Sequence, residues 1–185
     1  MLIDDVSIKN LDLNNVRKAI GYVPQDAFLF SESIKENIKF GKANATQEEI
    51  IAAAKSAEVH ENIMNFKNGY DTILGERGVT LSGGQKQRVS IARAIIKQPE
   101  IILFDDCLSA VDTETEEAIM EKFNNISENK TVIIVSHRVS SAKHADQIIV
   151  MDNGKIIQQG KHQELINKEG YYKSLYEKQL KSKEN

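Results

Sequence analysis

Four short stretches hold residues whose types and spacing could do chemistry. The apolar run Ile101–Phe104 ends in two aspartates, Asp105 and Asp106. A run that is apolar at every position suits a strand covered on both faces, and ligands of open α/β sheets bind at the carboxyl ends of strands. Asp105 is placed there to hold Mg²⁺, directly or through water, because carboxylates suit that hard cation. The pair serves equally well as a cap for the following turn. A second apolar run, Val132–Val135, leads to His137. An imidazole at that edge can hydrogen-bond a terminal phosphate or an attacking water, although a lone histidine is more often a surface or packing residue. His60, His144 and His162 are read in that plain way.

The third stretch is Ser82-Gly83-Gly84-Gln85, directly before Lys86-Gln87-Arg88 and an apolar-periodic run. Two glycines let the backbone approach a ligand, and a helix N-terminus offers free N–H groups with partial positive charge, which suits phosphate. Ser82 adds a hydroxyl. A glycine turn with a serine cap has the same residues. The fourth is Gln25, after Pro24, at the end of the strand-like run 19–23. Its amide could reach a metal-bound water, a weak indication by itself.

The elements that must position these residues follow from the pattern. Strands are expected over 19–23, 100–105, 131–136 and 147–152, with Asp152–Lys155 as a hairpin turn. Thr46 and Glu49 have capping-box spacing ahead of Ile50, Ala53, Ala54 and Ala57. Val89, Ala92 and Ile96 share a helix face that should end near Pro99. Asp112 can cap a helix over 113–124 that buries Ala118, Ile119 and Phe123. Leu165 and Ile166, then Tyr172, Leu175 and Leu180, suggest two amphipathic helices near the end. Residues 33–78 lack strand signals and read as a helical insertion. Strands alternating with helices argue for an α/β, doubly wound domain.

Composition narrows the function classes. A net charge of −3 argues against a nucleic-acid partner. A lone cysteine, Cys107, excludes an internal disulfide and fits an intracellular setting. The sequence contains no run of about 18 apolar residues, the length that could span a membrane, and the acidic start is unlike a signal peptide. Membrane association would come through a partner.

Each motif is weak alone; their order and spacing are not. GYVPQDAFLF (21–30), LSGGQKQRVSIARA (81–94), IILFDD (101–106), SAVD (109–112) and IIVSHR (133–138) together resemble the nucleotide-binding domain of an ATP-binding cassette (ABC) transporter, from about Leu2 to Tyr172. The resemblance implies a P-loop NTPase-like (RecA-like) parallel-sheet core at 1–32 and 98–160, a helical subdomain with the signature motif at 33–97, and C-terminal helices at 161–185. It implies ATP and Mg²⁺ as ligands. Gln25 resembles the Q-loop glutamine, which contacts Mg²⁺ and the attacking water. Ser82, Gly83, Gly84 and Gln85 resemble the signature motif, which in this family closes in trans on the γ-phosphate of ATP held by a second ATPase domain. Asp105 resembles the Walker B aspartate, Ser109–Asp112 the D-loop at the dimer interface, and His137 the switch histidine. The loop TILGERG (72–78) and the segment DAFLFSESIKENIKFG (26–41) are exporter-like. Glu76 would face the coupling helices of a transmembrane domain, at the cytoplasmic face of the plasma membrane.

Two departures qualify this. Where the family has a catalytic glutamate after the Walker B aspartate, this chain has Asp106, one methylene shorter. That resembles the degenerate-site half of heterodimeric multidrug exporters, and implies a slow site here and a good signature lent to a partner. The sequence also contains no Gly-x-x-x-x-Gly-Lys-Ser/Thr phosphate loop. Residues 2–26 resemble the segment just after the P-loop helix, so the chain is expected to be an N-terminally truncated domain or a piece of a longer polypeptide, without the P-loop strand and helix. An inactive remnant or non-catalytic partner module is the alternative. A chromosome-maintenance ATPase shares several motifs, but Gln25 and Ser82 are only about 57 residues apart, with no sustained heptads between them.

Overall fold

A computed structural model describes residues 1–75, 80–126 and 130–181. The chain divides into two compact units, Met1–Val135 and Ser136–Asn185.

The first unit opens with a hairpin of β1 (Leu2–Ile3) and β2 (Val6–Ser7), whose turn residues Asp4 and Asp5 both have positive φ. Helix α1 (Leu13–Ala19) is capped by Asp12, which accepts from the Asn15 N–H, and leads into β3 (Ile20–Val23). A helical stretch follows: α2 (Ile34–Lys39), α3 (Gln47–Ser56), α4 (His60–Met64) and α5 (Gly83–Ile95). The capping box expected at Thr46 and Glu49 is present on α3. Then come β4 (Ile101–Asp105), α6 (Thr113–Ile126) and β5 (Thr131–Val135). The expected strand 131–136 thus ends one residue early.

Strands β3, β4 and β5 form a parallel sheet in that order, with Val23 opposite Phe104 and Asp105 opposite Val135. One face is buried: Val23, Ile102 and Phe104 join a core with Val89, Ile91, Ile119 and Phe123, and the Phe104 and Phe123 rings meet edge to face. The other face is not covered as the all-apolar runs suggested. Tyr22, Ile133 and Val135 are 50%, 42% and 52% exposed, because the helices packed on the sheet lie on the opposite side. On α6, Ile119 and Phe123 are buried as expected, whereas Ala118 is only half-buried; the inward position is taken instead by Glu116, which is fully buried.

Polar contacts tie α2, α5 and the Phe28–Ser33 segment together. Asn37 on α2, 0% exposed, donates to the carbonyls of Phe30, Glu32 and Ser33 and accepts from the Phe30 N–H. Arg93 on α5 donates to the Asn37 side chain (2.7 Å) and to the carbonyls of Asn37 (2.9 Å) and Phe28 (2.8 Å), and its guanidinium lies over Phe30 and Phe40. Burial lowers its pKa to about 10, which leaves it charged at neutral pH.

In the second unit, α7 (Val139–Ala142) precedes the hairpin of β6 (Ile148–Asp152) and β7 (Lys155–Gly160). Asn153 and Gly154 both take positive φ, as a two-residue hairpin turn requires. Helices α8 (His162–Ile166) and α9 (Tyr171–Lys181) close it. Val139, Ile148, Val150, Leu165 and Tyr172 form its core, while Leu180, expected inside, is exposed because it lies in the last turn of α9. No helix among the described residues is long and apolar enough to cross a membrane.

Candidate functional site

Because β3 and β4 are neighbours in register, their carboxyl ends bring Gln25 and Asp105–Asp106 to one edge of the sheet. The Gln25 amide donates to the Asp106 carboxylate at 3.4 Å. The Tyr22 hydroxyl donates to the Asp105 carboxylate at 3.0 Å, a bond that also raises the Tyr22 pKa. Asp106 leaves the strand with a φ of 46°, while its N–H donates to the Val135 carbonyl at 2.8 Å and its carbonyl accepts from the Ser109 hydroxyl at 3.0 Å. Left-handed backbone is uncommon for residues other than glycine, and aspartate is among those that tolerate it.

At the start of α5, Ser82 is the cap of a full capping box. Its Oγ accepts from the Gln85 N–H at 3.3 Å, and the Gln85 side chain accepts from the Ser82 N–H at 3.0 Å. The serine-cap reading is therefore correct as local structure, and it coexists with an anion-binding reading. A capping box satisfies the third N–H and the cap's own, leaving those of Gly83 and Gly84 directed out of the helix end. A Cβ at Gly84 would come within 2.9 Å of the Ala110 carbonyl oxygen, so glycine is required for the helix end to sit against the 109–112 loop. A Cβ at Gly83 would meet only the Ala110 methyl, at 3.6 Å.

Asp112 caps α6, accepting from the Thr115 N–H at 2.9 Å. That bond, with a smaller contribution from the Arg88 charge, holds its carboxyl below the usual range. Arg88 itself donates to the Gly84 carbonyl at 3.3 Å and, in a short contact, to the Glu58 carbonyl, which ties the start of α5 to the end of α3. His137 lies in the second unit, where its carbonyl accepts from the Gln179 amide at 2.8 Å. Glu76 lies outside the described residues.

The donor set fits Mg²⁺ of the kind bound through one or two carboxylates together with substrate phosphates and waters. Among the described residues no group of three or more His, Cys, Asp or Glu side chains could enclose a metal. Sequence reasoning passed over two residues that shape the site, Tyr22 and Gln87. Both sit in runs that read simply as strand or helix. Only the register of β3 against β4 would have placed Tyr22 beside Asp105.

The model of the ABC transporter family matches residues 1–109. The chain belongs to the ABC transporter family. This ABC transporter chain is 50% identical over 176 residues to the putative multidrug export ATP-binding/permease protein YgaD of Bacillus subtilis, a match covering 95% of this chain and 30% of the relative. It is 47% identical over 182 residues to the heavy metal tolerance protein of Schizosaccharomyces pombe, covering 98% of this chain and 22% of that protein. Its fold matches the structure of a bacterial Atm1-family ABC exporter with ATP bound, with a TM-score of 0.92 and 42% identity over 96% of this chain and 31% of the other. The chain thus spans less than a third of the length of these relatives. The α/β fold with its parallel sheet is that of the nucleotide-binding part of an ABC exporter.

Proposed function

We propose that this chain is the nucleotide-binding portion of an ABC exporter, which couples ATP hydrolysis to movement of a substrate across a membrane. The observation that carries the proposal is the meeting of Gln25, Asp105 and Asp106 at one sheet edge, in a chain that keeps an intact Ser82–Gln85 helix end. Asp105 would hold Mg²⁺ and Tyr22 would orient that carboxylate. Mg²⁺, when bound, neutralises charge developing on the transferred phosphoryl group. Asp106 and Gln25 would orient the attacking water, with Asp106 accepting its proton and His137 bonding the terminal phosphate. Catalysis in such a site is mainly positioning and charge stabilisation.

The Ser82 hydroxyl and the Gly83 and Gly84 N–H groups would close on the γ-phosphate of ATP held by a second ATPase domain, in a heterodimer where this chain's own site is the slow one. Asp112 would lie at that interface. Glu76 would meet the coupling helices of a transmembrane domain at the cytoplasmic face of the plasma membrane. The core-sheet regions 1–32 and 98–160, the helical region 33–97 and the helices of 161–185 would divide this work. The sequence holds no Gly-x-x-x-x-Gly-Lys-Ser/Thr phosphate cradle. The open sheet face at Tyr22, Ile133 and Val135 is the surface against which such a cradle would pack.

A second reading, an inactive remnant or non-catalytic partner, is favoured by Asp106 standing where the family has a glutamate. Mg²⁺-dependent ATP turnover by the membrane-reconstituted transporter separates the two. With Asp105→Asn, turnover at this chain's site falls at least about tenfold under the first reading. It does not change under the second.

A further inference from the structure

We infer that Gln87 is a positioning residue that couples the Gln25 loop to the 109–112 loop through α5, an inference that rests on the exporter ATPase reading above. Gln87 lies on α5 two residues beyond the signature glutamine and is 6% exposed. A buried primary amide is costly unless both of its ends are bonded. Both ends of this one are bonded, and to two different loops. Its Nε2 donates to the Gln25 backbone carbonyl at 3.4 Å, and its Oε1 accepts from the Ala110 N–H at 3.2 Å.

Those two partners are far apart in the chain and belong to opposite tasks. Gln25 also donates its side chain to Asp106, on this chain's own site. Ala110 has its carbonyl against Gly84, at the helix end that would serve the partner's nucleotide. One amide therefore fixes the backbone of the loop that orients water in one site to the backbone of the loop beside the other. The Gly84–Ala110 approach leaves no slack on the second side, since a single added carbon would come within 2.9 Å of the Ala110 oxygen. A displacement of Gln25 is thus transmitted to Ala110 through one rigid group on a 13-residue helix rather than through solvent-exposed loop. The Gln25 and Ala110 contacts are made to backbone, so the linkage does not depend on side-chain identity in either loop.

The test uses the full transporter and three forms of it: wild type, Gln87→Met and Gln87→Glu. Methionine keeps the volume and loses both bonds. Glutamate keeps the acceptor, and when protonated it regains the donor as well; burial beside a carbonyl favours that protonated form. The first readout is hydrogen exchange at the Ala110 amide without nucleotide. Gln87→Met should speed it by about tenfold or more, as for an amide that has lost its acceptor. The second is ATP turnover. Gln87→Met should lower kcat on the order of tenfold with KM for ATP nearly unchanged, the mark of misplaced groups rather than lost binding. Gln87→Glu should recover turnover as pH is lowered, a response that methionine cannot give. Unchanged Ala110 exchange in Gln87→Met would overturn the bridge. Faster exchange with unchanged kcat would overturn its role in catalysis. If wild type itself turns over no ATP, the exporter ATPase reading fails, and with it the catalytic role; the exchange result still decides whether Gln87 joins the two loops.

Discussion

The Gln25 side-chain amide donates to the Asp106 carboxylate across 3.4 Å, joining the end of β3 to the residue that follows β4. It is the contact through which a loop after Pro24 and an acid after Asp105 become one site. The distance is at the long end for an amide–carboxylate bond, consistent with a carboxylate carried on the shorter of the two acidic side chains.

Replacing Asp106 with Glu extends the acid by one methylene toward the reacting water. In the assembled transporter this should raise turnover at this site on the order of tenfold to a hundredfold, since about 1 Å of misplacement costs roughly a hundredfold. Glutamate tolerates left-handed backbone less well than aspartate, so the φ of 46° predicts a small loss of stability, about 1 kcal/mol or less, alongside the gain. Turnover resolved by site, with a thermal melt of the same sample, checks both signs.

Arg93→Lys tests what holds the Phe28–Ser33 segment in place. A lysine cannot reproduce three donor contacts to Phe28 and Asn37 together with the planar stacking on Phe30 and Phe40. Carbonyls left unpaired should cost about 2 kcal/mol, measured as a lower urea midpoint. An unchanged midpoint would mean that the segment is held by its apolar contacts alone.

In the second unit, His162 and the Tyr172 hydroxyl are 2.9 Å apart at Nδ1, and the ring meets those of Tyr172 and Tyr176 edge to face. Burial lowers the His162 pKa from its ordinary 6.5, and the Lys143 and His144 charges lower it further. The unfolded chain therefore takes up this proton more readily than the folded one. The stability from neutral His162 is complete above pH 6.5 and declines as pH falls through that value toward the lowered pKa. His162→Gln keeps a partner for Tyr172 but does not titrate, so its urea midpoint should lose that part of the pH dependence between about pH 7.5 and 5.5.

Much of the sheet was legible because its strands are short, apolar and bounded by turn residues. The expected strands at 19–23, 100–105 and 147–152 match β3, β4 and β6 to within a residue at each end. The two capping boxes differ instructively. Thr46 and Glu49 were read directly as one, while Ser82 and Gln85 form an equally full box that the glycines between them suggested only as a cap. The β1–β2 hairpin went unread because its turn, Asp4-Asp5, has no glycine, although both residues adopt positive φ. The open sheet face went unread because all-apolar runs signal the capacity to be covered, not the presence of a cover. Arg93 and Gln87 looked like ordinary polar positions of a helix; their roles depend on where distant carbonyls fall, and no local pattern encodes that.

The most direct test of the proposed function is ATP turnover by the reconstituted transporter carrying Gly83→Asp. In this fold the position accepts a side chain, since an added Cβ meets only the Ala110 methyl at 3.6 Å. An acid in the first turn also favours the helix, by about 0.3–1 kcal/mol, so the melting temperature should hold or rise slightly. The same charge would oppose a phosphate at the helix end. The account predicts an intact or slightly steadier fold with turnover reduced on the order of a hundredfold. A stable variant that hydrolyses ATP at the wild-type rate would contradict it.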